Sequence, residues 1–168
     1  MKATDADVSD SSQASMRFRS GRIKLSNAFG NEKQALAIPV RVEYWSGKSW
    51  IPAGDDTCTT SSLVLPAHVS RSNFRSHQGA STTALSGVVT SALSLSGGSG
   101  FITLAAPGTN KTGSVDVELN LSGTGANLPW LQSLDAACGS TVCNPKARAS
   151  FGVYTPESRK TVHIQNVQ

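Results

Sequence analysis

Charge is scarce in this 168-residue chain: Asp, Glu, Lys and Arg make up 15% of it, against about 25% in an average globular protein. No apolar run approaches the ~18 residues that a membrane-spanning helix needs, which excludes insertion by that route. Lys and Arg never stand in runs longer than two. Aromatics do not interleave with them either, so the footprint of a nucleic-acid module is missing. The opening residues are polar and show no signal peptide. Apolar residues hold a helical spacing for no more than about one turn, which argues against a helical fold.

Chemical motifs are equally sparse. A nucleophile elbow needs Gly-x-Ser-x-Gly at a strand-to-helix turn; "GGSG" at 97–100 lacks the spacing and the helix. A phosphate loop of the Gly-x4-Gly-Lys-Ser/Thr type is absent. His68 and His77 fall in an aperiodic region and His163 stands alone near the end, so none has a zinc-ligand partner at short spacing. Asp55 and Asp56 are adjacent, and in an extended chain adjacent side chains point to opposite faces, so they cannot form a glycosidase pair by themselves.

What the chain does have is hydroxyls and glycine: 25 Ser, 14 Thr and 15 Gly, with a mild net charge of +4. This composition suits an exported β-protein. Residues 1–15, small, polar and acidic, read as a disordered leader or linker. Residues 16–168 read as a single domain, long enough to bury a core without a metal or disulfide.

Within that domain the apolar residues recur with period two, the signature of half-buried strands. Ile23 and Leu25 follow Phe18 with a parity shift at Gly21 that suggests a bulge. "NAFGN" (27–31) reads as a turn. Ile38, Val40, Val42 and Tyr44 then share one face, with Arg41 and Glu43 on the other. Pro39 has no N–H and should sit at the start of this strand or on an edge. "SGK" (46–48) is a hairpin turn leading to Trp50 and Ile51. Residues 54–81 read as a long connection with one short strand around 63–65. Val89, Leu93 and Leu95 precede the turn "SGGSG", and Phe101, Ile102 and Leu104 follow it. Val115, Val117, Leu119 and Leu121 form a clean strand with Asp116, Glu118 and Asn120 facing out. Ala147, Ala149, Phe151 and Val153 make another, and Val162 and Ile164 the last. About eight short strands between turns predict an all-β fold, a two-layer antiparallel β-sandwich of immunoglobulin-like or jelly-roll-like type with long loops. A closed barrel is the alternative.

Candidate functional residues are few. Trp45, Trp50 and Trp130 could stack on sugar rings; large aromatics are mostly buried, so core packing is the expectation for them. Asp55 and Asp56 are weak Ca²⁺ candidates, since no third carboxylate lies near in sequence. In "GDDTCTTSS" they fit a structural corner better, accepting backbone N–H bonds in an Asx-type turn. Cys58 lacks a local base, and its neighbouring carboxylates would raise its pKa, which argues against a catalytic thiol. Cys138 and Cys143 can pair across "GSTV". Alternatively Cys58 joins one of them, closing about 80 residues and contributing roughly 4 kcal/mol in the chain-entropy model. These residues do not add up to an enzyme, and they call for no cofactor.

One long stretch, "RFRSGRIKLSNAFGNEKQALAIPVRVEYWSGKSWIPAGDDTCT", carries several ordered motifs: Gly21–Gly30, the Tyr44–Trp45 pair and Asp55–Thr59. Together with "APGTNKTGSVDVELNL", "LPWL" (128–131) and "NPKARASFGVY" (144–154), it resembles the C-terminal domain of unknown function of MshQ-like proteins. These are large bacterial surface proteins named for the MSHA (mannose-sensitive haemagglutinin) type IV pilus system. Where many members carry an Asp/Gly-rich loop after "PWL", this chain has "QSLDAACGSTVCNP", and its ending "QNVQ" also departs from the pattern. The resemblance implies a cell-surface location and a signal peptide upstream of this segment. It implies other domains of a longer precursor as neighbours. It implies pilus components or adhesion machinery as partners and supplies no catalytic residues, whereas surface glycans are the partners of the tryptophan-stacking reading.

Overall fold

Alternation of apolar and polar residues organises the chain into two sheets that close on a shared core. A computed structural model describes residues 20–56, 59, 67–122, 126–134 and 141–153. The strands are β1 (Gly21–Leu25), β2 (Ala28–Gly30), β3 (Leu36–Trp45), β4 (Trp50–Pro52), β5 (Val69–Arg75), β6 (Thr90–Ser96), β7 (Ser99–Leu104), β8 (Gly113–Leu119), β9 (Ser133–Leu134), β10 (Val142–Cys143) and β11 (Lys146–Phe151). One sheet runs β1-β3-β7-β6, with β4 also paired to β3; the other runs β2-β11-β8-β5. β9 and β10 form a small separate ribbon. The fold is an all-β sandwich.

The predicted core faces meet between these sheets. Ile23, Ile38, Val40 and Ile102 come from the first, and Val115, Val117, Leu119, Ala149 and Phe151 from the second, each at most 1% exposed. Burying a side chain such as Phe151 or Ile38 is worth about 1.5–3 kcal/mol relative to leaving it in water. Outward positions on the second sheet pair across strands: Arg148 with Asp116 and Lys146 with Glu118.

Several expectations are corrected. "NAFGN" is not a simple turn: Ala28–Gly30 forms β2, running parallel to β11 with Ala28 opposite Ala149. The chain therefore leaves the first sheet after β1, touches the second, and returns as β3. The Asn27 side chain fixes this crossing by accepting the backbone N–H of Arg148 at 2.8 Å. Gly21 starts β1 in regular register, and its lack of a Cβ serves close approach, because one would sit 2.8 Å from Leu131 Cδ2. Pro39 lies inside β3, a central strand. Its carbonyl accepts Ser26 N–H at 3.0 Å. Its nitrogen thus faces the β1 side, just beyond the last β1 pair, Leu25 with Val40. The missing N–H falls at the margin of the β1 pairing, just past its last ladder pair.

The supposed long connection 54–81 contains β5, an edge strand paired with β8. Only Val69 and Phe74 pack against the core from it. A register break between Ser72 and Arg75, with Asn73 at φ 51°, destroys its alternation. Residues 1–15, the short strand expected around 63–65, and Val162 with Ile164 lie outside the described residues.

The β6–β7 hairpin turns on Gly97 and Gly98, at φ 54° and 70°, the two positive angles of a type I′ turn. β4 continues along the same edge of β3 that β7 occupies: Val42 N–H donates to Gly98 O at 2.8 Å and Ala53 N–H to Val42 O at 2.9 Å. The hairpin tip therefore abuts the end of β4.

Candidate functional site

Three segments converge at one end of the sandwich: the last residues of β3 with the start of β1, the chain leaving β4, and the loop 126–131. They enclose an open cavity of about 720 Å³. Val42, Ala126, Leu128 and Leu131 give it an apolar floor, and Tyr44 and Trp130 stand in its wall. Asp55 and Asp56 border it as acidic residues, and Glu43 contributes to the lining from the strand between Val42 and Tyr44.

Local sequence places each wall. Pro129 opens a 3-10 turn over Pro129–Leu131 that buries Leu131 and leaves Trp130 65% exposed. Asn127, at φ 54°, bends the chain into it. The loop is pinned from behind by Asn144, whose Oδ1 accepts Leu121 N–H at 3.0 Å and Gln132 Nε2–H at 2.8 Å. The other end of that amide donates to Glu118 Oε1 at 2.8 Å.

Beyond β4, Asp56 N–H donates to Ala53 O at 3.0 Å, and Asp56 Oδ1 accepts Thr59 N–H at 3.0 Å. Thr59 Oγ1 donates to Asp56 Oδ2. Asp56 is thus the cap of a corner, as the Asx reading anticipated. Asp55 and Asp56 do not point to opposite sides of a strand. Gly54 and Asp55 form a turn, so both aspartates border one cavity.

A second arrangement lies on the outer face of the first sheet. The hairpin turn Ser46–Ser49, closed by Ser46 N–H to Ser49 O at 2.9 Å, sets Trp45 opposite Trp50. Their rings meet edge to face, 5.6 Å between centroids at 60°. The Arg22 guanidinium lies over Trp50, 4.1 Å from the ring centre, a cation–π contact. The same guanidinium holds Glu43 through Nη2 at 2.6 Å and Nε at 2.8 Å. This pair explains how Glu43, an outward residue by parity, is buried.

The tryptophans therefore depart from the expected core packing. Trp130 and Trp45 are exposed, the latter 43%, and Trp50 is half-buried beneath Arg22. Trp45 and Trp50 face outward on a terminal hairpin and Trp130 sits on a short 3-10 turn, all at the margin of the core.

Electrostatics elsewhere are structural. The hydrogen bond from Arg148 to Asp116 (2.7 Å) holds that carboxyl below its ordinary pKa, against a partial burial that pushes the other way; Asn73 adds a bond at 2.9 Å. Burial would raise Glu118, but hydrogen bonds from Asn144 and Lys146 outweigh it and the net shift is downward.

His68 sits half-buried before β5 with its carbonyl accepting Asn120 N–H at 2.7 Å, and His77 is exposed. Neither lines the cavity. Cys143 is half-buried on β10; Cys58, Cys138 and His163 lie outside the described residues. Among the described residues no three His, Cys, Asp or Glu side chains gather as a metal site, so Asp55 and Asp56 gain no third ligand of that kind there. Among the same residues no helix is long and apolar enough to cross a membrane.

Two facing sheets, an end cavity and a surface aromatic pair define a β-sandwich module. Residues 19–167 match the family model "DUF6701, fourth domain". The chain belongs to that family, a domain of unknown function. Neither a curated protein nor a solved structure matches it.

Proposed function

We propose that this chain is a non-catalytic, exported cell-surface module of MshQ-like proteins, serving MSHA-type pilus biogenesis or adhesion, and that its end cavity recognises carbohydrate. The observation that carries the sugar reading is Trp130, 65% exposed on a cavity of about 720 Å³ that Tyr44, Asp55 and Asp56 also line. Aromatic faces stack on the apolar faces of pyranose rings, and carboxylate oxygens accept sugar hydroxyls; a concave site with a few polar groups is the usual form of a small-ligand pocket. The pilus connection rests on the resemblance of the Gly21–Gly30, Tyr44–Trp45 and Asp55–Thr59 motifs. Surface residence agrees with the hydroxyl-rich composition. A disulfide joining Cys143 to Cys58 or Cys138 would also agree with it, and intact mass with and without reductant checks for that bond.

A glycan array tests the binding reading. Trp130→Ala should remove binding while the thermal unfolding midpoint stays within about 2 °C, since an exposed ring contributes little to stability. A wild-type array with no hits refutes it. Deleting residues 16–168 from the full gene should reduce adherence or piliation; unchanged levels of both refute the surface role.

A further inference from the structure

The cationic side chains of β1 and β3 are placed for a partner that the cavity does not explain. Lys24 and Arg41 face each other across the β1–β3 pair, both exposed on the outer face. Among the described residues no carboxylate pairs with either. Like charges directly opposite in a sheet oppose folding, so this pair gains nothing for the sandwich itself.

Next to it, along the edge of β1 that has no strand partner among the described residues, a recess of about 160 Å³ is lined by Arg22, Lys24 and Lys146 together with Ser133, and by no acidic residue among those described. Ser26 N–H and Trp45 N–H bond across this strand pair, to Pro39 O and Ser20 O. Alternate residues of an antiparallel strand turn their N–H groups to opposite sides. The N–H groups of Ile23 and Leu25 therefore point away from β3, toward the recess. Trp45 and Trp50 flank the cations on one side. Phe101, 51% exposed and opposite Pro39, flanks them on the other.

We infer that this face binds an acidic polysaccharide, whose carboxylates meet Lys24, Arg41 and the β1 edge while its sugar rings lie along the aromatic ledges. Duplex nucleic acid fits less well. It carries a charge about every 1.7 Å and is held by many phosphate contacts, whereas Arg22 and Lys146 are already engaged with Glu43 and Glu118. The site is separate from the Trp130 cavity and stands or falls independently of it.

Affinity electrophoresis through gels containing polygalacturonate or neutral dextran tests it. The wild-type chain should be retarded by polygalacturonate only, and less so with added salt. The double variant Lys24→Gln/Arg41→Gln should bind about tenfold or more weakly, as expected when two charge contacts are lost, with each single variant intermediate. Trp130→Ala should keep full retardation. Both glutamine substitutions are at exposed positions, and an unchanged unfolding midpoint verifies the fold. The inference fails if polygalacturonate gives no retardation, or if dextran retards the chain equally. It also fails if the double variant binds like the wild type, if Trp130→Ala abolishes binding, or if a short DNA duplex is held as tightly as polygalacturonate.

Discussion

Replacing Gly98 with alanine should destabilise the protein far more than the same change at Gly79. Both glycines have left-handed backbones, φ 70° and 84°, so each substitution carries a conformational cost of about 1–2 kcal/mol. Their surroundings differ. A Cβ on Gly79 meets nothing within 4 Å, whereas one on Gly98 would lie 2.4 Å from Ala53 O and 2.7 Å from its carbonyl carbon. Both contacts are with backbone, so no side chain can rotate aside. Overpacking of that kind costs about 1–3 kcal/mol, which brings Gly98→Ala to about 2–5 kcal/mol. With a urea slope of about 2 kcal/mol/M, the midpoint should fall by about 1–2.5 M for Gly98→Ala and by about 0.5–1 M for Gly79→Ala. The slope should be unchanged in both. Since Ala53 leads directly into Asp55 and Asp56, any ligand of the cavity should also bind Gly98→Ala more weakly. Equal midpoints for the two variants would refute the close approach between the β6–β7 tip and the end of β4, and with it the account of how the cavity wall is positioned.

Asp56→Ala should cost about 1 kcal/mol by urea titration, the usual value of a lost helix or turn cap, and Asp56→Asn should retain most of it. Arg148→Ala should lower stability by under about 1 kcal/mol near pH 7, the scale of a surface pair. Because the pKa of Asp116 is depressed below 3.8 in the folded protein, the stabilisation is present above the unfolded value and disappears as pH falls through the folded one. Unfolding midpoints of wild type and Arg148→Ala should therefore converge in acid; a gap that stays constant from pH 7 to pH 2 would contradict this.

The strands that were readable from sequence are those whose two faces differ sharply. β8 alternates apolar and polar residues from Ser114 to Leu119, β3 does so from Val40 to Tyr44, and β11 does so with alanines, so period two found their core faces directly. β2 was missed because three residues, one of them Gly30, carry no period, and its parallel pairing with β11 is a property of the distant partner. β5 was missed because Arg71 occupies a core-side position and the Ser72–Arg75 irregularity shifts the parity before Phe74 can repeat it.

For the candidate site, Asp56 was legible as a corner because an Asx turn is local. The cavity was not, since Tyr44, Asp55 and Trp130 are brought together by pairing across the sheet and by the 126–131 loop. The burial of Glu43 likewise depends on the Arg22 register, which no single strand encodes. Burial of the tryptophans was inferred from ring size alone. Exposure depended on their position, on a hairpin and on a 3-10 turn at the margin of the core.

The parallel contact between β2 and β11 has a kinetic meaning. Asn27 and Arg148 are 121 positions apart, so a segment near the front of the domain must wait for one near its back before either is settled. Closing so wide a loop is slow compared with forming hairpins. A chain delivered front end first would hold its early strands half-assembled, apolar side outward, until the closing strand arrives.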